Sequence, residues 1–190
     1  MKNNIVKDAL ILFAITVCAG LLLGLTYTVT KEPIAMQQIK IRDAALNSVI
    51  KDADFEQIEE DLSKQPVITE IYEASRNDEV VGYAFKLVTK EGYGGDIELI
   101  VGINTDSTIS GIDIIKHSET PGLGANADND KFKDQFVAKP TKQLTVVKDG
   151  ADTDTEIDAL SGATISSRAV TNAVNAASDY FNSNFSKGAQ

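Results

Sequence analysis

The chain has 190 residues, of which 43% are hydrophobic and 24% charged, enough for one modest globular domain with at most a small appendage. Its net charge of −10 argues against a nucleic-acid partner, because nucleic-acid phosphates attract basic surfaces. It has a single cysteine, Cys18, and a single histidine, His117, so it lacks the ligands for an iron–sulfur cluster or a bis-histidine haem and has no pair of thiols for a disulfide. Any redox chemistry would therefore need an organic cofactor.

The N-terminal part predicts a membrane anchor. After a short tail at residues 1–8, no charged residue occurs from Ala9 to Thr30, and a helix of this length reaches about 33 Å, enough to cross a hydrocarbon layer roughly 30 Å thick. A cleaved signal peptide and a lipoprotein signal acylated at Cys18 are the alternatives. The apolar run is longer than most cleavable signals, no clear Ala-x-Ala site follows it, and Val17 is bulky for an acylation signal. The sequence therefore favours a transmembrane helix over residues 9–30.

Residues 31–60 are predicted to link this anchor to a globular domain at residues 61–190. Pro33 suits the first turn of a new helix or a kink. An incomplete apolar stripe over residues 34–50 fits either a stalk helix or an ordinary helix packed on the domain. Charge does not orient the span, because basic residues lie on both sides of it: Lys2, Lys7, Lys31, Lys40 and Arg42.

From Pro66 onward the hydrophobic pattern alternates, which predicts strands. The expected strands cover residues 67–74, 80–89, 97–103 and 109–116, with a hairpin turn at Arg76–Glu79 and a further short strand over residues 144–148. Helices are expected near 128–137 and over 165–181. The fold class is therefore α+β, with a mainly antiparallel sheet flanked by helices. The Gly92–Gly95 tetrad is interpreted as a tight connection or bulge, with a cofactor-facing role as the alternative.

Small hydroxyl and glycine residues run directly into the last predicted helix. The first turn of a helix has unpartnered N–H groups and the positive end of the peptide dipoles, so Ser161–Thr164 is suited to hold a phosphate. The same residues are also compatible with a plain helix cap packed against a strand. Five acidic side chains lie in the preceding stretch, Asp149–Asp158, but their spacing does not match an EF-hand, so a solvated loop and no metal site are predicted.

The stretch His117–Gly124 is the second informative one. Pro121 stiffens it, and its two glycines allow backbone conformations that other residues avoid, so it is suited to present backbone amides to a flat ring. A simple turn between a strand and a helix is the alternative. His117, alone at a strand end, is interpreted as a surface or capping histidine rather than a proton donor. Phe132 and Phe136, one helical turn apart, are expected in the core.

Taken together, the two stretches resemble a known family. Asp-x-x-Ser-Gly-Ala-Thr at Asp158–Thr164 resembles the flavinylation motif of the FMN-binding domain found in the C subunit of the sodium-pumping NADH:quinone oxidoreductase and the G subunit of the Rnf electron-transport complex. Glu119–Gly124 resembles the Glu-Thr-Pro-Gly-Leu-Gly segment of the same family. Two motifs in the family's order, behind a membrane anchor, are more specific than either alone. The G subunit is favoured, because its counterpart is usually a longer chain.

The resemblance implies that the Thr164 hydroxyl carries FMN through a phosphoester, attached by a separate exported flavin transferase. The transferase would recognise Asp158 and the small residues Ser161, Gly162 and Ala163. Contacts to the flavin ring would come from Glu119, Thr120, Gly122 and Leu123. The protein would then be an electron-transfer subunit of an Rnf-type ferredoxin:NAD ion-translocating oxidoreductase, with no catalytic residues of its own. Its FMN domain would lie outside the cytoplasm, and the other subunits of the complex would be its partners.

Two side chains beyond the motif are further candidates. Ser167 is placed to hydrogen-bond the phosphate and Arg168 to offset its charge, although a cation at a helix start is otherwise unfavourable. Two other functions stay open at this point. One is a flavin domain that feeds a different membrane or extracellular reductase. The other is a non-redox extracytoplasmic binding or adhesion domain, in which Ser161–Thr164 only caps a helix.

Overall fold

The computed structural model describes residues 2–186 and divides at Ile41 into an N-terminal unit and a unit that begins at Arg42. Helix α1, Lys2–Val49, contains the one segment among the described residues that is long and apolar enough to cross a membrane. Its threonines direct their hydroxyls to the preceding helical turn, as in the 2.9 Å bond from Thr28 to the Gly24 carbonyl. Such bonds satisfy polar groups that a hydrocarbon layer would leave without partners.

Helix α1 is longer than the predicted anchor. Pro33 lies inside it rather than at the start of a second helix, and the helix continues to Val49, well into the predicted linker at residues 31–60. The same linker range also contains strand β1, Asp54–Ile58, which the sequence did not predict. The globular unit therefore begins earlier along the chain than residue 61.

The main sheet is an antiparallel meander in the order β1-β2-β3-β4-β5. Its strands after β1 confirm the predicted ones with small shifts at the ends: β2, Ile68–Arg76; β3, Glu79–Thr89; β4, Ile97–Asn104; and β5, Ile109–Lys116. The predicted hairpin between β2 and β3 turns through Asn77 and Asp78, whose φ angles of 53° and 63° are those of a type I′ turn.

Each face of the sheet is covered by a helix. Helix α3, Thr164–Asn184, packs Val170, Val174 and Phe181 against one face, where the inward side chains of β3 and β4 such as Phe85 and Leu99 are fully buried. The last turns of α1 cover the other face, where Ala45–Ile50 contributes four buried side chains. Gly102 makes room for them, since a Cβ there would lie 3.0 Å from the Val49 Cβ. Of the two options for this helix, its C-terminal end is therefore packed on the domain.

Three short elements replace the single helix expected near residues 128–137: a 3-10 helix at Gly124–Asp128, helix α2 at Asp130–Lys133 and a 3-10 turn at Asp134–Phe136. Phe132 and Phe136 are buried edge to face, with ring centroids 5.5 Å apart, as predicted for core residues. A small parallel pair follows, formed by β6, Thr145–Val147, and β7, Glu156–Asp158. Strand β7 takes the place of the end of the expected solvated loop, and it delivers the chain to α3.

Candidate functional site

A cavity of about 410 Å³ lies where the two sequence motifs meet. This volume is typical of pockets that hold a small-molecule ligand or cofactor. Its walls come from the connection after β3, the loop after β5 and the first turn of α3: Tyr93, Glu119, Thr120, Leu123, Gly124, Gly162, Ala163, Thr164, Ile165 and Ser166. Six of the ten predicted site residues are among them, so the fold brings both motifs to one place.

The start of α3 presents Thr164 to this cavity. The Ala163 N–H donates to the Leu160 carbonyl at 2.9 Å, which closes a turn just before the helix. Gly162 occupies this turn with φ of +73°, a left-handed conformation that favours glycine. Thr164, the first residue of α3, is half-buried, and no side chain caps the helix at Ala163. The first-turn N–H groups are therefore available to an anion beside the Thr164 hydroxyl.

Ser167 has a different position from the one expected of a phosphate ligand. Its side chain is fully buried and does not line the cavity. The Ser167 hydroxyl accepts the Leu160 N–H at 2.9 Å and donates to the Ala163 carbonyl at 3.0 Å, so both of its interactions lie within the turn. Arg168 is exposed and lies outside the cavity lining. Ser167 therefore shapes the turn that positions Thr164.

The loop after β5 folds back on itself beside the cavity. The N–H groups of Leu123 and Ala125 both donate to the Thr120 carbonyl, at 3.1 and 3.2 Å. Gly122 makes this turn with φ of +78° and does not line the cavity itself. Asn126 holds the turn from the other side by donating from Nδ2 to the Gly122 carbonyl at 3.0 Å. Thr120 and Leu123 remain at the cavity wall, with Leu123 45% exposed.

Glu119 links three parts of the site although only 6% of it is exposed. Its Oε1 accepts the Gly94 N–H at 3.0 Å, and its Oε2 accepts the Ser166 hydroxyl at 2.7 Å. The Glu119 N–H donates to Nδ1 of His117 at 3.2 Å, so His117 caps the loop, as interpreted from the sequence. Each carboxylate oxygen of Glu119 is thus hydrogen-bonded within the protein.

Asp158 and Ser161, the remaining motif residues, lie outside the cavity. They line a separate surface depression of about 610 Å³ that also includes Lys131, Gln135 and Lys148. Gln135 holds the backbone of Asp158 at two points, accepting its N–H at 2.7 Å and donating to its carbonyl at 3.4 Å. The Asp158 side chain is exposed. In the described part of the chain, no group of three or more His, Cys, Asp or Glu side chains is placed to hold a metal ion.

Four cavity residues were not among the predicted site residues: Tyr93, Gly124, Ile165 and Ser166. The sequence analysis left a cofactor-facing role open for the Gly92–Gly95 loop without singling out Tyr93, the aromatic residue between its glycines. Gly124 is the last residue of the Glu119–Gly124 motif, and a Cβ there would overlap the Glu119 carboxylate. Ile165 and Ser166 follow the first motif directly. No pattern in the sequence marks Ser166 as the partner of Glu119, because that contact depends on the tertiary fold.

Comparison with known proteins identifies both parts of the chain. Residues 92–179 match the FMN-binding domain family, and residues 1–49 match the RnfG N-terminal region. The chain is 39% identical over 182 residues to the G subunit of the Na⁺-translocating ferredoxin:NAD⁺ oxidoreductase complex of Acetobacterium woodii, covering 89% of this chain and 87% of that one. It is 37% identical over 175 residues to the G subunit of the proton-translocating ferredoxin:NAD⁺ oxidoreductase complex of Clostridium ljungdahlii, covering 88% and 90%.

The fold also has a counterpart among solved structures. The C subunit of the Na⁺-translocating NADH-quinone reductase from Parabacteroides distasonis superposes with a TM-score of 0.53 and 25% sequence identity, over 73% of this chain and 79% of that one. This likeness confirms the predicted α+β fold.

Proposed function

Because the chain belongs to the family of G subunits of ion-translocating oxidoreductase complexes, we propose that it carries FMN covalently on Thr164 and relays electrons within such a ferredoxin:NAD⁺ complex. The complex's other subunits would then be its partners, with a flavin transferase as a transient one. The isolated chain would catalyse no complete reaction on its own, because it would only carry electrons between other components of the complex.

The described residues fit FMN at this position. The transferase would move the FMN phosphoryl group from a flavin phosphoanhydride to Thr164. The anhydride P–O bond breaks and its phosphate part leaves, while Thr164 Oγ1 bonds to phosphorus and loses its hydroxyl proton. The uncapped first turn of α3 offers N–H groups to the phosphate oxygens, and Gly162, in the turn just before it, brings no side chain there. Thr164 would be an anchor and would take no part in electron transfer.

The remaining walls suit the flavin ring. Leu123 and Ile165, which are 45% and 53% exposed, offer apolar surface to the cavity from the loop after β5 and from the first turn of α3. Flavin supplies the redox chemistry when bound, while the protein orients the ring and tunes its potential through charge and hydrogen bonds. From Lys31 onward the chain has 16 Lys and Arg against 27 Asp and Glu, and this acidity would disfavour added negative charge on the ring.

The single observation that carries the proposal is the position of Thr164. Its side chain lies at an uncapped helix start in the wall of the cavity where both motifs meet. The test is co-expression with a flavin transferase, followed by intact-mass measurement and in-gel fluorescence of the denatured chain. Wild type is expected to gain the mass of one covalently bound FMN, and Thr164→Val is expected to lose that mass and the fluorescence.

Thr120→Val is the matched control, because Thr120 is a second threonine in the wall of the same cavity. It is expected to keep the covalent flavin. Retention of flavin by Thr164→Val, or its loss in Thr120→Val alone, would place the attachment elsewhere. If the wild-type chain gained no mass, the proposed electron-relay function would be wrong, and the protein would be only an acidic domain attached to a membrane anchor.

We also propose that α1 anchors the chain in the membrane with the FMN domain on the extracytoplasmic side. Cys18 in α1 is the chain's only cysteine, so Asp149→Cys introduces one thiol on an exposed loop of the domain. A membrane-impermeant maleimide is expected to label this thiol in right-side-out vesicles and not in inverted ones. The parent chain, with Cys18 alone, is the control for labelling of the anchor, and the reverse pattern would place the domain in the cytoplasm.

A further inference from the structure

Tyr93 is a large aromatic side chain left 72% exposed in the wall of the cavity. We propose that it is a ring-contacting residue, whose phenol lies against the flavin ring and forms the wall that faces Leu123 and Ile165. This inference rests on the proposed function, because a planar aromatic ligand must occupy the cavity. It deepens that function by adding a residue that neither motif contains.

The backbone on either side of Tyr93 is held tightly. A Cβ on Gly92 would overlap the Gly95 carbonyl, and a Cβ on Gly94 would overlap the Ser118 carbonyl, so both glycines are packed directly against neighbouring backbone. The Gly94 N–H is also bonded to the buried Glu119 carboxylate at 3.0 Å. Tyr93 is thus the one residue of this segment whose side chain extends from the surface on which its neighbours pack.

A second bond fixes the entry to this loop. Glu91 accepts a 2.6 Å hydrogen bond from Nδ2 of Asn172, which lies further along α3 than Ser166. The loop is therefore attached to α3 on both sides of Tyr93, through Glu91 and Asn172 before it and through Gly94, Glu119 and Ser166 after it. The same helix carries Thr164, so these bonds set the spacing between the phenol and the proposed attachment point.

Apolar surface from three chain segments lies around the cavity, where a flat ring could pack against it. Tyr93, Leu123 and Ile165 come from three separate chain segments, and each leaves about half or more of its surface exposed. Exposed apolar side chains gathered at one cavity mark a ligand-binding surface. Tyr93 is the only aromatic residue in this wall among the described residues, and aromatic rings prefer to pack against one another in offset or edge-to-face geometry.

The proposal has an optical consequence. A phenol in contact with a light-excited flavin passes one electron to the ring and receives it back, so the emission is quenched and nothing is consumed. A phenylalanine ring is much harder to oxidise and does not quench in this way. The chain has no tryptophan, which would quench by the same route.

The experiment compares full-length chains loaded by co-expressed transferase, with flavin content fixed by absorbance. At equal flavin content, Tyr93→Phe is expected to emit several-fold more strongly per flavin. Tyr83→Phe is the matched control, because Tyr83 lies outside the cavity lining and stacks on Phe185 with ring centroids 4.1 Å apart. It is expected to keep the wild-type emission.

Tyr93→Leu removes the ring as well as the hydroxyl. It is expected to relieve the quenching and, in addition, to expose the flavin to collisional quenching by iodide, which Tyr93→Phe does not do. Emission of Tyr93→Phe equal to wild type at equal flavin content would overturn the contact. Unchanged iodide access in Tyr93→Leu would overturn its role as a wall. If the proposed function itself is wrong, the wild-type chain contains no flavin. That result is distinguishable from both of the outcomes above.

Discussion

The hydroxyl of Ser166 donates a 2.7 Å hydrogen bond to Oε2 of Glu119, 47 residues earlier in the chain. Both residues are buried, and Oε1 of the same carboxylate accepts the Gly94 N–H. One side chain therefore joins the loop after β3, the loop after β5 and the helix that carries Thr164. The width of the cavity depends on this carboxylate as well as on the packing of the sheet against α3.

The first prediction concerns the stability of this junction. Ser166→Ala leaves a buried carboxylate oxygen without its donor, which is expected to cost about 1–3 kcal/mol of unfolding free energy. Ser178→Ala is the matched control, because it makes the same change at a serine of α3 that is also 1% exposed but whose hydroxyl has no partner within the described residues. It is expected to have little effect. Denaturant unfolding of the detergent-solubilised chains measures the unfolding free energy of both variants. An equal loss of stability in the two would contradict a stabilising role for the Ser166–Glu119 hydrogen bond.

The second prediction concerns Gly162, whose φ of +73° places it in the left-handed region. Gly162→Ala is expected to destabilise the protein by roughly 1–2 kcal/mol, because a residue with a Cβ is strained there. The added Cβ would also lie 3.2 Å from Cδ2 of Leu123, so the cavity wall must shift and flavin loading should fall. Gly162→Asn should lose less stability, since asparagine tolerates this conformation. Thermal unfolding of Gly162→Ala and Gly162→Asn measures the difference. Equal melting temperatures for the two variants would argue against backbone strain at this position.

The sequence was sufficient for four of the five strands of the main sheet and for six of the ten residues that line the cavity. Strand β3 alternates in hydrophobicity, and β2, β4 and β5 are apolar-rich stretches of strand length between turn residues such as Asn77 and Asp78, so local pattern and tertiary structure agree. The two motifs were recognisable only together and in the family's order, because Ser161–Thr164 alone also fits a plain helix cap. Their convergence was an implication of the family resemblance, and the fold places them in one cavity.

The features that the sequence did not predict depend on contacts between residues far apart in the chain. Strand β1 is short and acidic, and it pairs only because β2 offers a free edge. Helix α1 continues past Pro33 to Val49, and its last turns pack on an apolar sheet surface lined by Gly102 and Ala84. Distance along the helix indicated Ser167 as a phosphate ligand, but its hydroxyl is used to close the preceding turn. Side-chain direction of this kind is decided by packing, which spacing does not reveal.

The third prediction concerns acid stability. Lys86 Nζ lies 2.8 Å from Oε1 of Glu70, and the Tyr72 hydroxyl also donates to this carboxylate. Burial alone would raise the pKa of Glu70, but the hydrogen bonds from Lys86 and Tyr72 outweigh it and hold the pKa below its ordinary value of 4.5. A carboxyl that binds its proton less tightly when folded stabilises the fold above its ordinary pKa, and this contribution is lost as the pH falls through the lowered value.

Glu70→Gln is therefore expected to be less stable than wild type at neutral pH, with the difference shrinking once the pH drops below the ordinary pKa of 4.5. Unfolding free energies measured across the acid range test this. Glu79→Gln is the control, because Glu79 is exposed at the start of β3 and has no ion-pair partner among the described residues. A constant difference between Glu70→Gln and wild type at every pH would assign the loss to packing instead of charge.

The fourth prediction separates recognition from cofactor binding within the first motif. Asp158 is exposed, lies outside the cavity lining and has its backbone held by Gln135, so Asp158→Asn changes a surface charge while keeping both backbone bonds. It is expected to slow flavin incorporation by the transferase, followed as intact mass over time, because the motif's carboxylate would be read by that enzyme. The absorption spectrum and midpoint potential of the loaded fraction should match wild type, since no cavity wall has changed.

Asp149→Asn is the control, because Asp149 is an exposed carboxylate of the preceding loop outside the motif, and it should load at the wild-type rate. A normal loading rate combined with a shifted spectrum in Asp158→Asn would instead place this side chain at the flavin.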